Sequence, residues 1–307
     1  VSGDPGRALV GAPEVAPRCG VPFTPSSLAA LAARFGGDAV CEGEHAPVSR
    51  IATADAAGDL RGALIPVYDA RNVAAAQEAA SRGASLLLDR TLVEAVSRGP
   101  RWVHPFARWA AAKVLGDAAA PAAPVVGRDV VLGPGVVLYP GVVVGDRVTI
   151  GANAVLGAPG FGFVEGPSGP PIAIPHLAGV HIGNDVRIGA LCTIDAGAFR
   201  PTEVAAGAAL DAQVHVGHHV RIGRGAVICA QCGLAGSVTI GAGAILGGQV
   251  GVADHVTIGE RAKIAAKSGV IGDVPAGETW GGYPAQPRLR WLRAVAATYR
   301  PTPRGGV

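Results

Sequence analysis

From Val126 onward an aliphatic side chain returns at every sixth position: Val126, Leu132, Leu138, Val144, Ile150 and Leu156. Glycine follows most of these, at 127, 133, 145, 151 and 157, and a small or β-branched residue stands four positions on, at Val130, Val136, Val142, Val148 and Ala154. The pattern stops at APGFGFVEGPSGPPIAIPHLAGVH and resumes in a new phase at Ile182, Ile188 and Ile194. It breaks again at FRPTE and then runs unbroken from Val204 to Val270. An amphipathic helix needs apolar spacing near 3.6 residues, so this is no helix. A six-residue unit makes one short strand and one turn, and three units close a triangular coil of about 18 residues whose strands stack as sheet. Twenty-one such units predict about seven coils over residues 125–276, with the aliphatic position and the fourth residue after it pointing inward. The two interruptions predict loops thrown out from corners, where sites are often lined.

The flanks read differently. Residues 21–117 alternate helix-like and strand-like segments and predict a small α/β domain for nucleotide or substrate binding. TPSSLAALAARFGG predicts a helix capped by Thr24 with Pro25 in its first turn. GALIPVYD and ASLLLD predict strands, and DARNVAAAQEAASRG and HPFARWAAAKVLG predict helices. Residues 1–20 read as a flexible lead, 118–124 as a linker, and 277–307 as a helix, QPRLRWLRAVAATYR, with a tail.

Composition narrows the class. The chain is 49% hydrophobic but only 5% aromatic, with 46 glycines, which suits a backbone-dense architecture of small buried residues and tight turns. The net charge is +3 with no basic run before the C-terminal segment, which argues against nucleic acid as a partner. Five cysteines, an odd and sparse set, argue against a secreted disulfide framework. The N-terminus carries no secretion-type apolar stretch and no apolar run approaches membrane-spanning length. A cytoplasmic protein without a membrane span is expected. The chain contains no Met, which points to a processed N-terminus or a non-standard start codon.

Candidate chemistry concentrates in LDAQVHVGHHVRIG, with His215, His218 and His219. Counted from Val216, none of the three falls on an inward position, so all three are expected to face solvent or a neighbouring subunit. Gly236 lies one coil above His218, and His255 lies two coils above and one position along. A histidine base beside a glycine N–H is the equipment of acyl transfer: the base takes a proton from the attacking amine, and the amide can stabilise the oxyanion. Asp211 could orient the imidazole. A metal site is the rival reading, but no third ligand stands one coil away. CAQC resembles a metal knuckle, yet Cys232, like Cys192, falls on an inward position and reads as core. GAPGFGF is followed by no helix and does not read as a dinucleotide loop. Gln213, Gln231 and Gln249 recur at coil spacing and predict a structural amide ladder.

Taken in order, GFGF (160–163), IPHLAGVHIGNDVRIGALCTID (174–195), LDAQVHVGHHVRIG, GGQVGVADHVTIG (247–259) and GGYPAQP (281–287) resemble the UDP-3-O-acylglucosamine N-acyltransferases, hexapeptide-repeat enzymes of lipid A assembly. The resemblance implies a left-handed parallel β-helix assembled as a homotrimer with sites between subunits. It implies a 3-hydroxyacyl donor on the phosphopantetheine of acyl carrier protein, or on CoA, with no other cofactor, and a nucleotide amino-sugar acceptor. By the same resemblance His218 is the base, Asp211 its carboxylate, Gly236 the oxyanion glycine and His255 a second active-site histidine. Phe161, Gly162, Phe163, His176, His215, Asp69 and Asn72 fall at substrate-binding positions, and Arg288, Arg290 and Arg293, with Arg300, at the carrier-binding end. The chain departs from the pattern at His219, where the family has Asn, at DAG (195–197) for DRG, and at Pro159 for Asp. It also has Pro66, Asp69 and Asn72 where the family sets an aromatic, an Asn and a Tyr around uracil. Two other readings remain: a related acyltransferase for another amino sugar or amine, and a metal-dependent or non-catalytic repeat protein. Ser268 and Gly269 are small enough to leave a long groove in the upper coils.

Overall fold

The computed structural model describes residues 20–41, 46–96 and 99–298. The flexible lead expected over 1–20 and the tail that includes Arg300 lie almost wholly outside the described residues.

The first unit comprises β1 (Val21–Ser26), α1 (Leu28–Phe35), β2 (Asp38–Val40), β3 (Val48–Ile51), β4 (Ala63–Val67), α2 (Val73–Ser81), β5 (Ser85–Asp89), β6 (Arg101–His104) and α3 (Ala107–Gly116). Its sheet has the order β1-β3-β4-β5-β6-β2, parallel from β3 to β6 and antiparallel at both edges. The central strands are covered on both faces, which is why ALIPV and SLLLD read as continuous apolar runs. One helix start differs from expectation. Thr24 and Pro25 lie in β1, paired with β3 across an irregular register, and α1 is capped by Ser27, whose hydroxyl accepts from the Ala30 N–H at 3.1 Å. An edge strand tolerates a missing proline N–H, so pairing won over the local helix signal. His104, expected in a helix, ends β6 instead.

Beyond Val125 the chain forms a parallel β-helix of the left-handed type expected for the repeat. Each of three sheets stacks seven coil strands, and one sheet is extended by Thr279–Gly281 and Gln286–Pro287. Registers such as Arg221↔Thr239 and Gly233↔Gly251 advance by 18 residues. Across the first interruption the step is 38 residues, as in Thr149↔Arg187, and across the second it is 22, as in Thr193↔His215. The chain therefore inserts 20 and then 4 residues without losing phase. Residues at the two inward positions fill the core: Val216, Val220, Ile222 and Cys232 are all buried. Leu132, in the first coil, is 45% exposed because no coil lies beneath it. Corner residues take left-handed backbone, including Gln213, Gln231, Gln249, His219 and His255. The three glutamines hydrogen-bond in series at 2.8 and 2.7 Å, the expected amide ladder.

Both insertions lean on the first unit. Ile174, Leu177, Ala178, Ala198 and Phe199 pack on the cluster built from β4, β5 and α3, and Trp109 of α3 lies against Gly166. Arg221 pairs with Asp55 at 2.6 Å. The last helix, α4 (Arg288–Thr298), buries none of its residues, and Trp291 rests on Gly281 and Gly282. No helix among the described residues is long and apolar enough to cross a membrane.

Candidate functional site

His218 stands at the corner that follows His215–Val216, with its ring over the Cα of Gly236. A methyl on Gly236 would come within 2.6 Å of His218 Cε1 and 2.8 Å of Nε2, so glycine here is a requirement of the histidine's position. Among the described residues no backbone carbonyl takes the Gly236 N–H, while its carbonyl accepts from His255 N at 3.1 Å. His255 is exposed, on the same edge of the solenoid. The expected trio of His218, Gly236 and His255 is therefore brought together.

The loop of the first insertion completes the cleft. Gly160 abuts His176 and His218, and the two imidazole rings lie 5.0 Å apart. His176 is 7% exposed and its Nδ1 is buried without a partner. Burial, then the nearby His218, pushes the His176 pKa down to about 4. Burial likewise lowers that of His218, helped by His255 and Arg200. Both rings are thus kept neutral, the state a proton acceptor needs.

His219 departs from expectation. It is only half-exposed, with its ring held against the four-residue insertion. Its Nε2 accepts the N–H groups of Ala198 at 2.8 Å and Phe199 at 3.2 Å, and its ring stacks on Phe199. Thr202 Oγ1 accepts the His219 N–H, and Arg200 donates to the His219 carbonyl at 2.6 Å. The loop, invisible to coil arithmetic, reduces the exposure. His215 keeps its outward position, with Nδ1 2.7 Å from Thr193 Oγ1. Its Nε2 lies 3.9 Å from Asp195, a carboxylate that the sequence reading passed over. Coil counting back from His215 misses Asp195 because the 22-residue step lies between them.

Other expected residues are dispersed. Asp211 lies at the preceding corner of the triangle, where its carboxylate accepts the Ala212 N–H at 2.7 Å; within one chain it makes no contact with His218. Phe161 and Phe163 lie edge-to-face at 5.1 Å in the hairpin loop and are 87% and 56% exposed. Gly162 borders His176. Asp69 caps the turn Ala70–Asn72 and pairs with Arg71, which holds its carboxyl down at about 2; Asn72 is exposed and makes no side-chain capping bond. Pro66 lies within β4. Arg288, Arg290 and Arg293 are exposed on α4. Ser268 faces the core and donates to the Ala265 carbonyl, and the ring of Tyr283 covers Gly269. A groove of ≈ 530 Å³ rises from His215 past Gly233 and Gly251 to that tyrosine.

The depressed His176 pKa carries a stability consequence. Its folded value lies below the ordinary one, so this contribution is complete above pH 6.5 and is lost as pH falls from 6.5 towards 4, where the unfolded chain takes up the proton first. Calorimetry should show a melting temperature that declines over that window, and a shallower decline in His176→Gln. Parallel slopes would contradict the assignment.

The bacterial transferase hexapeptide model (six repeats) matches residues 123–158. UDP-3-O-acylglucosamine N-acyltransferase 1 of Nitrobacter winogradskyi is 55% identical over 141 residues, 46% of this chain and 39% of that protein. UDP-3-O-acylglucosamine N-acyltransferase of Caulobacter vibrioides is 50% identical over 137 residues, 45% of this chain and 40% of that protein. The matched region thus spans about two fifths of these relatives' length. Among solved structures, UDP-N-acetylglucosamine acyltransferase from Campylobacter jejuni is 22% identical, covering 58% of this chain and 81% of that one with a TM-score of 0.44.

Proposed function

We propose that this chain is an N-acyltransferase that moves a 3-hydroxyacyl group from a carrier thioester to the amine of a UDP-linked acylated glucosamine, a step of lipid A assembly in the cytoplasm. The observation that carries the reading is the neutral His218 ring seated on Gly236 beside His176 and His255. His218 takes the proton from the attacking amine, and the Gly236 N–H receives the developing oxyanion. The relatives' names support the acceptor. The exposed arginines of α4 suit an acidic donor, the surface of acyl carrier protein or the phosphates of CoA. Mass spectrometry of products from UDP-3-O-acylglucosamine with 3-hydroxyacyl carrier protein or 3-hydroxyacyl-CoA tests this. Absence of an amide product with either donor rejects the reading. One observation favours a different amino sugar: Pro66 in β4 and Asp69 tied to Arg71 leave no aromatic face at the expected uracil position.

The site works as a threefold homo-oligomer. In one chain the Nε2 of His219 accepts two N–H groups, so its own proton sits on Nδ1, 3.1 Å from His218 Nδ1. That contact leaves the proton of His218 on Nε2, the wrong side for a base acting there. A carboxylate at Nδ1 would draw the proton across, as in other His–carboxylate pairs. Asp211 is such a carboxylate, offered from a neighbouring copy. Mixing and reassembling inactive Asp211→Ala and His218→Ala chains should then restore about a quarter of wild-type activity, because each site takes one group from each of two copies. A mixture as inactive as its parts, or a stable monomer in sedimentation, would exclude a shared site.

A further inference from the structure

Asp195 is a carboxylate without a full counter-charge, one strand below the turn that carries His218. Its side chain is 14% exposed, and its one ionisable neighbour is His215, whose Nε2 at 3.9 Å is beyond hydrogen-bond reach. Among the described residues no lysine or arginine reaches it. Strand pairing fixes its place. Thr193 and Ile194 pair with His215 and Val216, so Asp195 lies beneath Gly217, the residue before His218. On its other side it pairs with Ala158, two residues before the Gly160 that touches His176 and His218. Gly197, two residues on, abuts the His219 ring. A half-buried carboxylate whose one ionic partner is an imidazole beyond hydrogen-bond reach is unfavourable unless a cation joins it. Burial indeed pushes the Asp195 carboxyl up, and His215 offsets this only in part.

We propose that Asp195 binds the ammonium group of the acceptor and presents it to His218, making it the residue that selects an amine over a hydroxyl. This rests on the acyl-transfer reading above. The acceptor enters as R–NH3⁺ and pairs with Asp195. One proton passes to His218, and the freed lone pair forms the C–N bond as the thioester carbonyl becomes an oxyanion. Collapse breaks the C–S bond, and the departing thiolate takes up the second nitrogen proton. The products are amide and thiol, and His218 returns its proton to solvent. His215, whose Nδ1 lies 2.7 Å from Thr193 Oγ1, stands beside the carboxylate.

The test uses UDP-3-O-acylglucosamine and its counterpart with a hydroxyl in place of the 2-amine, the latter as a competitive inhibitor. Wild type should prefer the amine by about tenfold or more, the worth of a charge-assisted hydrogen bond. In Asp195→Asn the preference should vanish and the KM for the amine should rise by a similar factor, with the KM for the acyl donor unchanged. The melting temperature should hold or rise in Asp195→Asn and Asp195→Ala, since an unpaired half-buried charge is removed. Retained amine preference in Asp195→Asn overturns the assignment and leaves the acyltransferase intact. So does a fall in melting temperature in both variants with equal loss of affinity for the amine and the hydroxyl compound, which marks a structural carboxylate. A wild-type protein that transfers acyl groups to neither compound removes the reading and the anchor together.

Discussion

His218→Ala should lower turnover by about a hundredfold or more, the range for removal of a general base, or roughly 3 kcal/mol of transition-state stabilisation. The fold should survive. His218 is only half-buried, at a corner outside the aliphatic core, and the Ser237 N–H that pairs with its carbonyl at 2.8 Å depends on backbone alone. Stability should therefore change far less than in a core truncation such as Ile222→Ala, for which about 2–5 kcal/mol is typical. Single-turnover acyl transfer, run beside thermal melts of the same preparations, is the measurement. Near wild-type transfer by His218→Ala would remove the base from the mechanism. The contrast with His219 is informative, because His219→Ala leaves the buried Ala198 and Phe199 N–H groups without an acceptor and so acts on stability first.

A comparable loss is expected from one methyl group. Gly236→Ala places a carbon 2.6 Å from His218 Cε1, 2.8 Å from Nε2 and 3.1 Å from Nδ1. Contacts of that length cannot persist, and the side that can yield is the imidazole, since the Gly236 backbone is held by the coils above and below. Rotation of the ring off the glycine removes the base from the amide it serves, so activity should fall about a hundredfold while melting changes little. Gly272→Ala is the control. It lies in the same column two coils higher, and a methyl there meets nothing within 4 Å. If both variants kept full activity, the His218 position over Gly236 would not be the productive one.

The repeat was legible in the sequence because a solenoid's core is local: each hexad supplies its own inward residues, so a six-residue period states strand, turn and burial together. Seven coils, the buried cysteines, the glutamine ladder and the stacking of His218 on Gly236 all follow from counting. The first unit was legible where strands are buried on both faces, as in β4 and β5. It was misread at Thr24 and Pro25, where pairing with β3 overrode a helix signal. Counting failed wherever the period was interrupted. Four inserted residues covered the His219 ring and hid Asp195 beneath the His218 corner, and twenty more brought His176 to within 5.0 Å of His218. No local rule places a loop against a distant corner, because that contact is set by packing between segments far apart in the chain. Thus the sequence determined the scaffold and the column on which the histidines stand, while the tertiary structure decided which of them are buried and neutral and which one stands beside a carboxylate, since burial and proximity are properties of the folded chain.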